Sequence, residues 1–173
     1  DGHPGQIKKA AKMIEESKKP VIYTGGGVII AGASRELIEL VEKTKAPCTN
    51  TLMGLGGVPG THPLFMGMLG MHGTVYANRA VHESDLLVAV GARFDDRVTG
   101  DLKKFAPNAK IIHIDVDPSA IAKNVKVDIP IVGDVKQVLT ELNKIVKAPD
   151  TKAWLDEIER WKKESPLRYK DDS

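Results

Sequence analysis

The run Asp85-Leu86-Leu87-Val88-Ala89-Val90, stopped by Gly91, constrains the fold more than any other part of the chain. After Asp85 it holds no polar residue, so a strand made from it must be covered on both faces. Continuous apolar runs of this kind belong to strands inside a parallel sheet. Four more stretches read as strands: Val21 to Thr24, Ala46 to Thr51, Lys110 to Asp115 and Val127 to Val132. Pro130 lacks a ladder N–H, which places the last of them at an edge. Between the strands the apolar spacing turns helical. Pro4 to Lys19 carries Ile7, Ala10, Ala11 and Ile14 and is ended by Pro20. Ser34 to Lys45 carries Leu37, Ile38, Leu40 and Val41, with Ser34 as its N-cap. Asn78 to Ser84, Asp101 to Phe105, Val135 to Val146 and Ala153 to Glu164 are further helices. Alternating strands and helices predict an α/β, doubly wound, Rossmann-like fold: a mainly parallel sheet of about six strands with helices on both faces. Gly54 to Gly73, rich in glycine, proline and methionine, reads as a long irregular segment of functional type. Its apolar content argues against disorder.

A chain of 173 residues suits one domain with a single core. Its formal net charge of +2, evenly spread, argues against a nucleic-acid or anionic-membrane surface. No apolar run reaches membrane-spanning length, and no signal peptide is recognisable. Cys48, the one cysteine, reads as a small buried hydrophobe in a reducing compartment. His3, His62, His72, His82 and His113 show no metal-ligand spacing, so no metal site is expected. No nucleophile motif is present either. The chain opens at Asp1 with the turn-like Asp1-Gly2-His3-Pro4-Gly5, and we expect it to be cut from a longer protein. Residues 1–147 are expected to form the domain proper. Residues 148–173 are expected to be a linker and a loosely packed C-terminal helix leading to a missing domain.

Ligands of open parallel sheets lie beyond the carboxyl ends of the strands. Those ends carry Gly25-Gly26-Gly27, Thr51-Leu52-Met53-Gly54, Gly91 to Arg97, Asp115-Val116-Asp117 and Gly133-Asp134-Val135. Glycines let a backbone approach a pyrophosphate and offer bare N–H groups. Arginines offer a planar cationic fork. Carboxylates accept hydrogen bonds from ribose hydroxyls or an adenine amine. Together they describe a dinucleotide pocket. Taken singly, the glycine triplet also reads as a plain turn, and no G-x-G-x-x-G follows the first strand. Asp115 also reads as a cap or ion-pair partner, and Asp134 as the N-cap of the helix from Val135. Met66, Met68 and Met71 are either core filling or a soft wall against a flat ring.

Thr51 to Gly56, Leu69-Gly70-Met71-His72-Gly73-Thr74, Arg93-Phe94-Asp95-Asp96-Arg97-Val98-Thr99-Gly100 and His113 to Asp117 closely resemble the central domain of acetolactate synthase (acetohydroxyacid synthase) catalytic subunits. The resemblance covers essentially the whole chain, including Gly2 to Gly5 and Trp161 with Ser165-Pro166-Leu167 at its edges. It implies a thiamine-diphosphate and Mg²⁺ enzyme that makes 2-acetolactate or acetohydroxybutyrate for branched-chain amino acids. It further implies FAD, without net redox work, bound in this domain. Carried over by motif, the FAD contacts would be Gly25, Gly26, Gly27, Thr51, Leu52, Leu69, Gly70, Met71, His72, Gly91, Ala92, Arg93, Phe94, Asp95, Arg97, Asp115, Val116, Asp134 and Val135. Asp96 and Arg97 would edge the channel to the thiamine site. The stretch Val28 to Gly32 departs from the family pattern and leaves open which glycine meets the ligand.

The resemblance also implies partners: the chain's own amino- and carboxy-terminal thiamine-diphosphate domains, a second or further copies in a homodimer or homotetramer, and a regulatory small subunit. It implies a cytoplasmic location, or a plastid one in a eukaryote. No Gly-Asp-Gly motif for the diphosphate occurs, so this stretch alone is expected to have no catalytic residue and no synthase activity. Three other readings stand beside it: the middle domain of a pyruvate oxidase or glyoxylate carboligase, a stand-alone ADP- or NAD-binding regulatory module, and a spacer that binds nothing.

Overall fold

The computed structural model describes residues 3–51, 57–68, 75–94, 101–122 and 126–164. Its centre is a six-stranded sheet, every neighbouring pair parallel, in the order β3-β2-β1-β4-β5-β6. The strands are β1 (Pro20–Thr24), β2 (Cys48–Asn50), β3 (Phe65–Met68), β4 (Leu86–Val90), β5 (Lys110–Asp115) and β6 (Ile129–Val132). The helices are α1 (Pro4–Glu16), α2 (Gly26–Ile30), α3 (Ser34–Thr44), α4 (Val75–Glu83), α5 (Leu102–Phe105), α6 (Pro118–Ala122), α7 (Val135–Ile145) and α8 (Lys152–Glu164). This is the doubly wound α/β arrangement that the alternating runs predict. The central strands β1 and β4 are buried at every residue, as their unbroken apolar runs require.

Alternation along each strand divides the core between two faces. Ile22, Val88, Ile112 and Ile114 face α1, α3 and α7, where Ile14, Leu37, Leu40, Val138 and Leu142 meet them. Val21, Tyr23, Leu87, Ala89 and Ile111 face α4, α5 and α8. The entrances to β1 and β4 are tied together by Asp85. Its carboxylate accepts the backbone N–H groups of Lys18 and Lys19 at 2.8 and 2.9 Å.

Four expectations change. The segment from Gly54 to Gly73 contains strand β3, whose pairing with β2 slips in register between Cys48 and Asn50. The glycine triplet does not end in a loop, because Gly26 and Gly27 start α2. Ser34 is the first residue of α3 rather than its cap; Ala33 occupies the cap without a side-chain bond. The last helix is not loosely packed. Trp154, Ile158 and Trp161 of α8 are buried against the second face, and Trp154 Nε1–H donates to the Pro20 carbonyl at 3.0 Å. The Arg79 guanidinium of α4 lies 4.3 Å over the Trp161 ring, a cation–π contact that couples the two helices. Pro130 is on β6, an edge strand, as expected. Cys48 is fully buried, and burial pushes its thiol up to about 12. Met66 is core filling.

Candidate functional site: a cleft at the carboxyl rim

The strand order reverses direction between β1 and β4, so the connections from these two strands leave to opposite sides of the sheet and open a crevice between them. A cleft of about 710 Å³ lies there, within the size range of small-molecule and cofactor sites. It is lined by the glycine triplet, Thr51, Gly91 and Arg93, then by Asp115, Val116, Asp134 and Val135. Every one of these is a predicted contact. Ile30, Ala31 and Asp117 line it too; Asp117 belongs to a strand end singled out in the sequence, but none of the three is among the predicted contacts. The pair Ile29-Ile30, apolar yet outside any helical stripe, was the available signal.

The floor of the cleft is made by backbone meeting backbone. Gly25 N–H donates to Val90 O at 3.0 Å, and Gly27 N–H donates to Gly91 O at 2.9 Å. A Cβ on Gly25 would sit 2.5 Å from Gly91 O, and one on Gly27 would sit 2.7 Å from Gly91 Cα. Gly91 has φ +59°, and a Cβ there would sit 2.7 Å from Val28 N. These three glycines therefore let the β1–α2 turn and the end of β4 interlock. Gly25 and Gly27 spend their amides on that packing. Gly26 is the member of the triplet whose N–H has no backbone partner among the described residues.

Ala92 and Phe94, also predicted contacts, point into the core instead. Phe94 is buried and stacks on Tyr23 with centroids 5.6 Å apart. Beneath them His113, fully buried on β5, sits with Nε2 2.7 Å from the Ala92 carbonyl, so Nε2 carries the proton and donates. Burial holds its pKa below the usual histidine value, with the Ala92 bond and nearby Asp115 opposing the shift. This histidine fixes the turn from which Arg93 reaches the cleft.

The β5–β6 side is acidic. Asp115 Oδ1 accepts the Asp117 N–H at 2.9 Å, and Asp117 Oδ1 accepts from Ser119 N–H and Oγ–H at 2.9 and 2.8 Å. Arg93 approaches Asp117 at 4.0 Å. Asp134 caps α7 by accepting the Gln137 N–H at 2.8 Å, so its capping role and its place in the cleft coexist. The other predicted contacts, Leu52, Leu69, Gly70, Met71, His72, Asp95 and Arg97, lie outside the described residues, as does Asp96. No helix among the described residues is long and apolar enough to cross a membrane.

Residues 7–142 match the family model for the thiamine pyrophosphate enzyme central domain. The chain is 58% identical, over 99% of its length, to a probable acetolactate synthase large subunit of Methanocaldococcus jannaschii. It is 50% identical over 98% of its length to the acetolactate synthase large subunit of Haemophilus influenzae, and 46% identical over 97% to the isozyme 3 large subunit of Escherichia coli. It spans 30% of the length of each of these relatives. The chain therefore belongs to the thiamine pyrophosphate enzyme central-domain family, and within it resembles acetolactate synthase large subunits from end to end.

Proposed function

We propose that this chain is the FAD-binding central domain of an acetolactate synthase large subunit. That enzyme would condense two pyruvates, or pyruvate and 2-oxobutyrate, with loss of CO2, in branched-chain amino-acid biosynthesis. The observation that carries the reading is the glycine-floored cleft at the strand-order reversal, in a chain about half identical to enzymes named for this activity. The cleft fits the cofactor in size and chemistry. Its floor is narrowed to backbone by Gly25, Gly27 and Gly91, so that a bulky pyrophosphate could lie close to the chain. Arg93 and the Gly26 N–H would meet its charge, and Asp115 would accept from ribose hydroxyls. The flavin would serve as a fixed structural element, with no net electron transfer in the condensation.

Thiamine diphosphate and Mg²⁺ would bind on amino- and carboxy-terminal domains of the longer protein, with residues 148–173 leading toward the latter. The 173 residues of this chain would then supply no catalytic group. Homodimer or homotetramer assembly, a regulatory small subunit and a cytoplasmic or plastid location belong to the same reading. It includes no nucleic-acid or membrane partner.

Purified chain assayed with pyruvate, thiamine diphosphate, Mg²⁺ and FAD should form no acetolactate above background; turnover would overturn the division of labour. FAD affinity should be weak in the isolated chain, because neighbouring domains would complete the enclosure. The pyruvate oxidase and glyoxylate carboligase readings are less well supported, since the relatives at 46–58% identity carry the synthase name.

A further inference from the structure

Behind the cleft wall, on the core side of the sheet, β1 and β2 end in a polar pair. Thr24 and Asn50 are register partners in the parallel ladder, and the next residue, Thr51, donates its N–H to Thr24 O at 2.9 Å. Side chains two residues apart on a strand share a face. Ile22 and Cys48 belong to the apolar cluster that packs under α1, α3 and α7, so Thr24 and Asn50 point to that side as well. Both residues are buried.

A hydroxyl and an amide in such a place are normally hydrogen-bonded. Thr24 Oγ1 and Asn50 Oδ1 are both shut away from solvent with no partner among the described residues, and they do not bond each other across the two strands. Cys48 is the preceding residue of β2 on the same face. Burial raises its thiol and the Thr24 hydroxyl lowers it, but sulfur is too weak a partner to satisfy that hydroxyl. Two oxygens left this way cost stability unless a small group with hydrogens to give stands between them. The Asn50 carbonyl can only accept, whereas the Thr24 hydroxyl can donate or accept. A metal ion would need more ligands than two neutral oxygens, and no cluster of His, Cys, Asp and Glu that could hold one exists among the described residues. A water molecule matches both atoms, and internal waters characteristically serve such pairs. We propose that a buried water bridges Thr24 Oγ1 and Asn50 Oδ1. It donates to the carbonyl and shares one hydrogen bond with the hydroxyl, with the Cys48 thiol at its edge. It joins the carboxyl ends of β1 and β2 through their side chains, one residue before Thr51 N–H joins them through the backbone. The site needs no ligand in the cleft.

Crystals of the chain grown with and without FAD, diffracting well enough to show ordered waters, test this first. Density for one water should lie about 2.7–3.2 Å from both oxygens in both crystals. A dry contact, a protein group in the water's place, or an Asn50 amide turned to meet Thr24 directly would overturn the proposal. Whether FAD occupies the cleft bears on the flavin reading and not on this one. Urea unfolding of Thr24→Val, Asn50→Leu and the double variant is the second test. Each single change leaves the other oxygen without its water and should raise the unfolding constant about tenfold. The double change removes both oxygens together, so its unfolding constant should stay near that of either single variant. A rise of about a hundredfold, the product of two independent losses, would show that the two oxygens share nothing and would overturn the bridge.

Discussion

Gly27 donates its backbone N–H to the carbonyl of Gly91 across 2.9 Å, and the Cα atoms of both stand where the other's side chain would have to be. The cleft is thus floored by a contact that only two glycines can make.

Gly27→Ala and Gly91→Ala should each destabilise the chain by about 2–4 kcal/mol, through a backbone clash and, at Gly91, a positive φ as well. Gly32→Ala is the control. Its φ is +63° with nothing within 4 Å of the added Cβ, so only conformational strain remains, about 1–2 kcal/mol. Urea unfolding of the three variants measures the difference. A loss at Gly91→Ala no larger than at Gly32→Ala, together with no loss at Gly27→Ala, would show that the interlock adds nothing.

His113 should make stability fall with acid. Its folded pKa lies below the 6.5 of the free side chain because burial disfavours the charged ring. Between that folded value and about 6.5 the unfolded chain binds the extra proton, so stability is full above this window and declines as pH drops through it. His113→Gln keeps an N–H donor for the Ala92 carbonyl without a group that titrates there. Urea midpoints from pH 7.5 down to pH 5 should drop more steeply for the parent chain than for this variant. Parallel profiles would show that His113 titrates alike in the folded and unfolded chain.

Trp154→Ala should cost about 3–5 kcal/mol, the usual loss for a buried indole, because Trp154 fills the second face and bonds Pro20 O. A chain ending at residue 147 should be less stable still, exposing Val21 and Leu87 together. If both unfold at the parent's urea midpoint, α8 is a passenger.

Cys48 should resist thiol reagents in the native state. It is fully buried, and its thiol, near 12, holds almost no thiolate at pH 8. Labelling should follow the rate of unfolding and become fast in denaturant. Rapid native labelling would contradict the packing of β2.

The sheet was legible because β4 is apolar at every position and β1 nearly so, and β4 and β5 fall where the runs of Leu86 and Ile111 put them. β3 was not. Phe65-Met66-Gly67-Met68 is short, carries a glycine, and is held by β2 with a register slip that no local pattern encodes. α2 was hidden for a related reason: two glycines begin it, and the contact with Gly91, far away in sequence, decides their conformation. Residues marked by a strand end line the cleft, since a strand's carboxyl end is visible in sequence. Phe94 follows a strand end too, but its ring turns into the core to stack on Tyr23, and a side chain's direction after a strand cannot be read from spacing. Ile30 was missed because an exposed isoleucine leaves no pattern. The packing of α8 could have been read, as Trp154, Ile158 and Trp161 stand at helical spacing.

The proposed flavin dinucleotide would lie along the carboxyl rim of the sheet. A crystal structure of the chain, or of the longer protein containing it, grown with FAD measures this most directly. The dinucleotide should cross from Asp115 over Gly26 and Gly91, with its phosphates nearest the glycines and Arg93. Flavin bound at the amino ends of the strands, or a cleft closed by protein side chains while FAD sits elsewhere, would contradict it.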